Sequence, residues 1–230
     1  MWLYTEVLYR PLLNLLVVVY NIVPGHDLGI TIIILTVIIK LILYPLNRKS
    51  IVSQRVMQAI QPQMEVLKEK YKDNREKLSA AMMELYKKEK INPLSSCVPI
   101  LIQLPILIAV YQVFSSGLNG GNWNLLYSGV ANPGALQTLA FGFLDLTKRS
   151  IPLAVLAGLV QYWQTKMLMD NRAQKGTMQS AMNTQMLYLM PALTVFIGSG
   201  FPAGLTFYWF LTTLFSGLQQ IWMLRKKKQA

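Results

Sequence analysis

The sequence predicts an all-α, polytopic membrane protein: five transmembrane helices, a cytoplasmic helical hairpin and an N-terminal interfacial helix. Three observations predict it. Hydrophobic types make up 53% of the 230 residues and charged types 14%, a balance poor for a soluble domain and ordinary for a chain that crosses a bilayer repeatedly. The apolar residues gather into runs near the ~20 residues that a span requires. The basic residues lie between and after those runs, so the net charge of +12 points to an anionic membrane rather than to nucleic acid.

Residues 1–27 form the first element. Leu12 to Val23 is apolar but fenced by Pro11 and Pro24, which is short for a bilayer. Arg10, Asn14 and Asn21 share one helical face, as in an amphipathic helix lying in the interface. An uncleaved signal is the rival, disfavoured by Glu6 and by the lack of a small-x-small cleavage site. The first span follows at 28–46, apolar on all sides and closed by Pro45 and Asn47.

Residues 48–92 are densely charged with both signs. Met57, Ile60, Met64, Leu67 and Tyr71, then Leu78, Met82 and Leu85, step by threes and fours. Two helices with narrow apolar stripes, joined by a turn at Lys72-Asp73-Asn74, make a water-exposed antiparallel hairpin; Pro62 should kink or restart its first arm. The second span is placed at 94–114, with Pro99 and Pro105 as kinks. An extracytoplasmic loop at 117–150 follows. Further spans lie at 151–169, 184–197 and 203–224, the last two separated by a tight turn from Gly198 to Pro202. The basic tail, 225–230, closes the chain. Five spans put the hairpin, the 170–183 loop and the tail on one side, which holds nearly all Lys and Arg. The positive-inside rule makes that side cytoplasmic and the N-terminus extracytoplasmic.

Lys40 is the anomaly. A cation within a span costs about 2.5–3.5 kcal/mol on the lenient insertion scale, and no span contains a carboxylate to offset it. Lys40 must snorkel to the nearer interface or sit in a wet cavity. Thr36 lies one turn away. Gln103 falls in the second span, Gln161 and Gln164 in the third, and Gln219 and Gln220 near the inner end of the fifth. Any one amide would serve to join two helices. The set, taken with an unpaired lysine, predicts a polar groove in the inner half of the bundle.

Little suggests an enzyme. The only cysteine, Cys97, suits a small buried residue, and the only histidine, His26, sits in a turn-like Pro-Gly-His-Asp stretch. No phosphate loop, zinc-protease helix or serine elbow is present. No cofactor, metal or direct nucleic-acid partner is expected.

Several stretches together resemble the YidC-type membrane protein insertases, relatives of the Oxa and Albino proteins. They are residues 38–46 (IIKLILYPL), Gln61-Pro62-Gln63, 85–94 (LYKKEKINPL), 97–106 (CVPILIQLPI), 143–147 (FLDLT) and 201–209 (FPAGLTFYW). They occur in family order, and the combination is specific where no single piece is. The resemblance implies a five-span core and a hydrophilic groove open to cytoplasm and lipid but closed to the outside. It also implies a groove cation that is typically arginine and is Lys40 here. By similarity Gln164 and Trp209 would line the groove as well. The chain looks like the short form, without a large extracytoplasmic domain.

The expected function is insertion and chaperoning of nascent membrane proteins in a bacterial cytoplasmic membrane, with substrate contacts at Lys40, Thr36, Gln103, Gln161, Gln164, Trp209 and Gln219. Ribosome and Sec translocon are additional candidate partners. Two alternatives stand beside it: a small anion transporter or channel, and a scaffold that assembles membrane proteins without inserting them.

Overall fold

The computed structural model describes residues 2–90, 92, 98–118, 123–168 and 178–226. Cys97, the start of the second span, most of the 170–183 loop and the end of the tail lie outside them. Among the described residues there are nine helices: α1 (Trp2–Ile22), α2 (Leu28–Ile42), α3 (Tyr44–Ala59), α4 (Gln61–Lys70), α5 (Arg75–Lys88), α6 (Val98–Leu118), α7 (Ile151–Leu168), α8 (Met178–Gly200) and α9 (Ala203–Lys226). The long loop carries a two-residue antiparallel ladder, β1 (Leu139–Ala140) with β2 (Leu144–Asp145), and an isolated bridge joins Arg149 to Pro202.

The apolar runs pack as a bundle. α7 lies along both α8 and α9, α9 also packs on α2, and α1 lies against α2 and α6. The buried core sits at the end of the bundle that carries the long loop. There Leu28, Ile32 and Leu35 of α2 meet Val110, Val113 and Phe114 of α6 and Leu205, Tyr208 and Leu211 of α9. At the opposite end α3, α4 and α5 project as an arm.

α1 extends further than the apolar run suggests. It begins at Trp2 and continues through Pro11 to Ile22, and by length and composition alone it could cross a membrane. A π turn at Thr5–Tyr9 precedes Pro11, with Arg10 N–H donating to Thr5 O, so the proline's missing donor falls where the ladder changes register. The polar stripe that reads as interfacial is engaged by the long loop. Arg10 Nε donates to Leu125 O at 3.1 Å, and Asn14 Nδ2 donates to the same oxygen at 3.1 Å. Asn14 Oδ1 accepts from Tyr127 N at 2.7 Å, and Asn21 Nδ2 reaches Ala131 O at 2.9 Å. Asn14 is buried, so these bonds satisfy groups that would otherwise be costly.

α2 ends at Ile42, short of the Leu46 expected from hydropathy, and the chain turns by 67° into α3. Pro45 explains the position. A proline ring clashes with the carbonyl four residues back and offers no donor, so the ladder stops at Leu43 and Pro45 enters the first turn of α3, where it is tolerated. Ile60 makes a second break, with Pro62 at the start of α4. Residues 71–74 form the turn into α5, where Asn74 Oδ1 caps Lys77 N at 3.0 Å. The chain reversal near Pro202 is tighter than the sequence suggests, because α8 keeps Gly198, Ser199 and Gly200 in helix.

Asp27 fastens the loop end. Its Oδ1 caps α2 at Ile30 N (3.0 Å) and its Oδ2 accepts from Phe141 N (2.6 Å), so one carboxylate joins the helix to the β1–β2 turn. Phe141 has φ 54°, a strained value for a non-glycine residue, and packs over Gly29, where a Cβ would approach its ring to 2.7 Å. Asp27→Ala should destabilise the protein by about 1–3 kcal/mol, one helix cap plus one charge-assisted bond. Asp27→Asn, which can still cap, should cost less. Thermal unfolding in detergent measures both.

Asp145 fixes the same loop. The Thr147 hydroxyl (2.6 Å) and then the Thr147 backbone N–H (3.0 Å) bind its carboxylate, Lys148 pairs with it at 3.1 Å, and the pKa falls from 3.8 to about 2. A depressed carboxylate pKa contributes stability that is fully present above the unfolded value and lost as pH falls through the folded one. Asp145→Asn should therefore loosen residues 139–150 above pH 4 and match the parent near pH 2. Proteolysis of this loop at the two pH values is the check.

Candidate functional site

The half of the bundle toward the arm holds a cavity of about 340 Å³. Four helices build it. α2 contributes Lys40, and α6 contributes Ile102, Gln103, Leu104 and Leu107. α7 contributes Gln161 and Gln164, and α9 contributes Trp209, Thr212, Thr213 and Ser216. Leu43 and Asn47, at the bend between α2 and α3, complete its arm-side margin. Helical spacing explains the convergence: positions 209, 212, 213 and 216 form one stripe of α9, and 161 and 164 stand one turn apart on α7.

Lys40 lies in the last turn of α2, half-buried. Its Nζ donates to Ser216 Oγ at 2.6 Å, and Ser216 Oγ donates onward to Thr212 O at 2.8 Å. Among the described residues no carboxylate pairs with it; the ion pairs there join Arg10 to Glu6 and Lys148 to Asp145. An ammonium carries three donors, so one hydroxyl leaves donor capacity facing the cavity. Gln103 Nε2 donates to the buried Tyr208 Oη at 3.4 Å, and Thr213 Oγ1 donates to Trp209 O at 3.0 Å.

Five of the seven residues singled out from the sequence share this cavity: Lys40, Gln103, Gln161, Gln164 and Trp209. Two do not line it. Thr36 is fully buried and donates to Ile32 O at 2.6 Å, one turn back on its own helix. Gln219 lies across the α2–α9 seam in a neighbouring cleft that also includes Lys40. The sequence reading overlooked Thr212, Thr213 and Ser216. Hydroxyls at one-turn spacing beside Trp209 were the available signal. It is weak, because membrane helices commonly satisfy Ser and Thr on their own carbonyls.

The cavity sets Lys40 and three glutamines among apolar walls, and toward the long loop its helices pack closed. Moving toward the long loop, the same helices bury Ile106, Val110 and Val113, Leu35 and Ile32, Tyr208 and Leu205, and Ala154 and Ala157. The long loop covers that end through Ala203 N to Lys148 O (2.7 Å) and Gly204 N to Leu146 O (3.0 Å). The cavity's walls are apolar at Ile102, Leu104 and Leu107 beside the amides.

Known proteins share this architecture. The chain is similar to "Membrane protein insertase YidC" of Fusobacterium nucleatum, 34% identical over 200 residues that cover 87% of each chain. It is 37% identical to the protein of that name from Pelobacter propionicus over 94% of this chain, but it spans only 38% of that longer relative. A crystal structure of an active YidC insertase superposes with a TM-score of 0.63 and 25% identity, over 94% of this chain and 45% of that one. The resemblance read from the sequence is thus borne out. With the family model for the 60Kd inner membrane protein matching residues 18–230, the chain belongs to the family of bacterial inner-membrane proteins that contains the YidC membrane protein insertases.

Proposed function

We propose that the cavity is a hydrated groove that receives polar or acidic segments of nascent membrane proteins and passes their hydrophobic helices into the bilayer. One observation carries this reading: Lys40, paired with a hydroxyl and with no carboxylate among the described residues, shares one cavity with three glutamines and Trp209. An incoming carboxylate supplies the missing counter-charge. The donors beside it replace part of the water that an acidic segment gives up, which lowers its desolvation barrier. The adjoining apolar helix moves along the greasy wall into lipid, driven by burial of its own apolar surface. No covalent step is required.

The basic residues assign sides within this reading. α3–α5 and the tail face the cytoplasm, and the long loop faces outward. The outer half of the bundle, where the buried face of α6 is apolar at Ile106, Val110, Val113 and Phe114, argues for a one-sided groove rather than an anion channel, which needs a polar path to both faces. Nascent chains and lipid are then the direct partners, with ribosome and Sec translocon as further ones. The decisive experiment reconstitutes the chain alone in liposomes and measures protease protection of a single-span substrate. Cysteine placed at position 40 provides a second readout. Labelling from the arm side only supports the groove; labelling from both sides supports the channel and removes this reading.

A further inference from the structure

A second cleft lies on the other side of Lys40, about 310 Å³ in volume, between α2 and α9. Its walls are two matching stripes. Val37, Lys40 and Leu41 come from α2 and Tyr44 from the start of α3, and Phe215, Leu218, Gln219 and Trp222 come from α9. Each set repeats at three- and four-residue steps, so one face of each helix borders the cleft. Leu41, Leu218 and Trp222 are exposed, at 66%, 47% and 50%. On a bundle that sits in a bilayer, such a surface meets acyl chains.

The polar chemistry of the cleft is that of a donor. Gln219 Nε2 is buried with no hydrogen-bond partner, a state that costs free energy unless something accepts from it. Lys40 Nζ borders the cleft and has given one bond to Ser216. Both of these groups are donors, one of them cationic, which suits an anionic oxygen. The depth suits a headgroup as well. Lys40 sits in the last turn of α2, just before the 67° bend. Tyr44 and Trp222 approach each other at 6.4 Å at the rim, where aromatic side chains mark a membrane interface. Exposed Arg48 and Lys49 follow on α3.

We propose that this cleft is a binding site for one anionic phospholipid of the inner leaflet, its phosphate held by Lys40 and Gln219 and its acyl chains lying on Leu41, Phe215 and Leu218. The proposal rests on the reading above only in taking the arm end as the inner side of the membrane.

Native mass spectrometry of the full chain, extracted from vesicles of equal phosphatidylglycerol and phosphatidylcholine, tests it. One phosphatidylglycerol should be retained about tenfold over phosphatidylcholine, the worth of one or two charge-assisted bonds. Leu218→Trp, which fills the cleft without touching the main cavity, should abolish that preference while leaving insertion of the single-span substrate intact. Gln219→Leu, a milder change, should reduce the preference severalfold. Equal retention of the two lipids, a preference that survives Leu218→Trp, or one left unchanged by Gln219→Leu, overturns the site. Co-purification of a peptide in place of lipid overturns it too. Insertion is scored separately, so failure here is distinguishable from failure of the insertase mechanism.

Discussion

Lys40→Glu is expected to lower insertion of a single-span substrate with an acidic tail by at least about tenfold, measured as the protease-protected fraction in liposomes. The reversal removes a charge-assisted bond worth about 1.5–3 kcal/mol, and ~1.4 kcal/mol is already a factor of ten. It also sets like charges against each other in a partly desolvated cavity, where they repel more strongly than in water. A substrate with a neutral tail should lose much less, because it makes no use of the charge. Lys40→Arg should retain most of the activity, since charge is preserved and a planar fork still reaches the cavity, although the 2.6 Å contact with Ser216 must rearrange. If Lys40→Glu inserts the acidic-tailed substrate as well as the parent does, electrostatic docking at this residue is wrong.

The second large effect concerns the wall opposite Lys40. Gly217 of α9 faces Trp163 of α7, and a Cβ there would meet the ring at Cη2 (3.0 Å) and Cε3 (3.1 Å), with Cζ3 closer still. Trp163 lies between Gln161 and Gln164 in sequence, so displacing its ring moves the helix that presents both amides. Gly217→Ala should destabilise the fold by about 1–3 kcal/mol, the usual range for overpacking, and Gly217→Leu by more. Gly200→Ala is the control, because a Cβ there meets nothing within 4 Å. The measurement is thermal unfolding in detergent. A Gly217→Ala protein that melts with the parent would mean that the α7–α9 seam is looser than it looks, and that the cavity wall yields.

Much of the architecture was legible from sequence because bilayer chemistry leaves few solutions. Apolar runs must be helical to satisfy their backbone in lipid, and the mixed-charge stretch from Arg48 to Lys90 belongs in water. The polar residues of the site were legible for the same reason. A lysine and several amides are costly enough in apolar helices that each one stands out. Three properties were not legible. The end of α2 was misplaced because hydropathy continues to Leu46, whereas the clash of the Pro45 ring with the preceding turn ends the ladder at Leu43. The continuity of α1 through Pro11 is not legible, because the proline fences the apolar run until the π turn before it is known. The partners of the polar stripe of α1 are not legible, because no local rule shows that Leu125, Tyr127 and Ala131 would return from more than a hundred residues away to bind a face that suits an interface.

The sequence by itself determined that Lys40 has no carboxylate partner in any span, and that amides stand on other helices at similar depth. Those are facts of composition and position along the chain. Only the tertiary structure decided which of them meet. α9 turns its 209–216 stripe toward α2, α6 and α7, so Lys40, Gln103, Gln161, Gln164 and Trp209 line one cavity. Thr36 is sealed on its own backbone, and Gln219 falls across the seam into a different cleft. The physical reason is rotation about the helix axis. Residues three positions apart lie about 60° apart on a helix of 3.6 residues per turn, and adjacent ones about 100°. Which face meets which neighbour is set by packing between helices far apart in sequence, the close approach of Gly217 to Trp163 among the contacts.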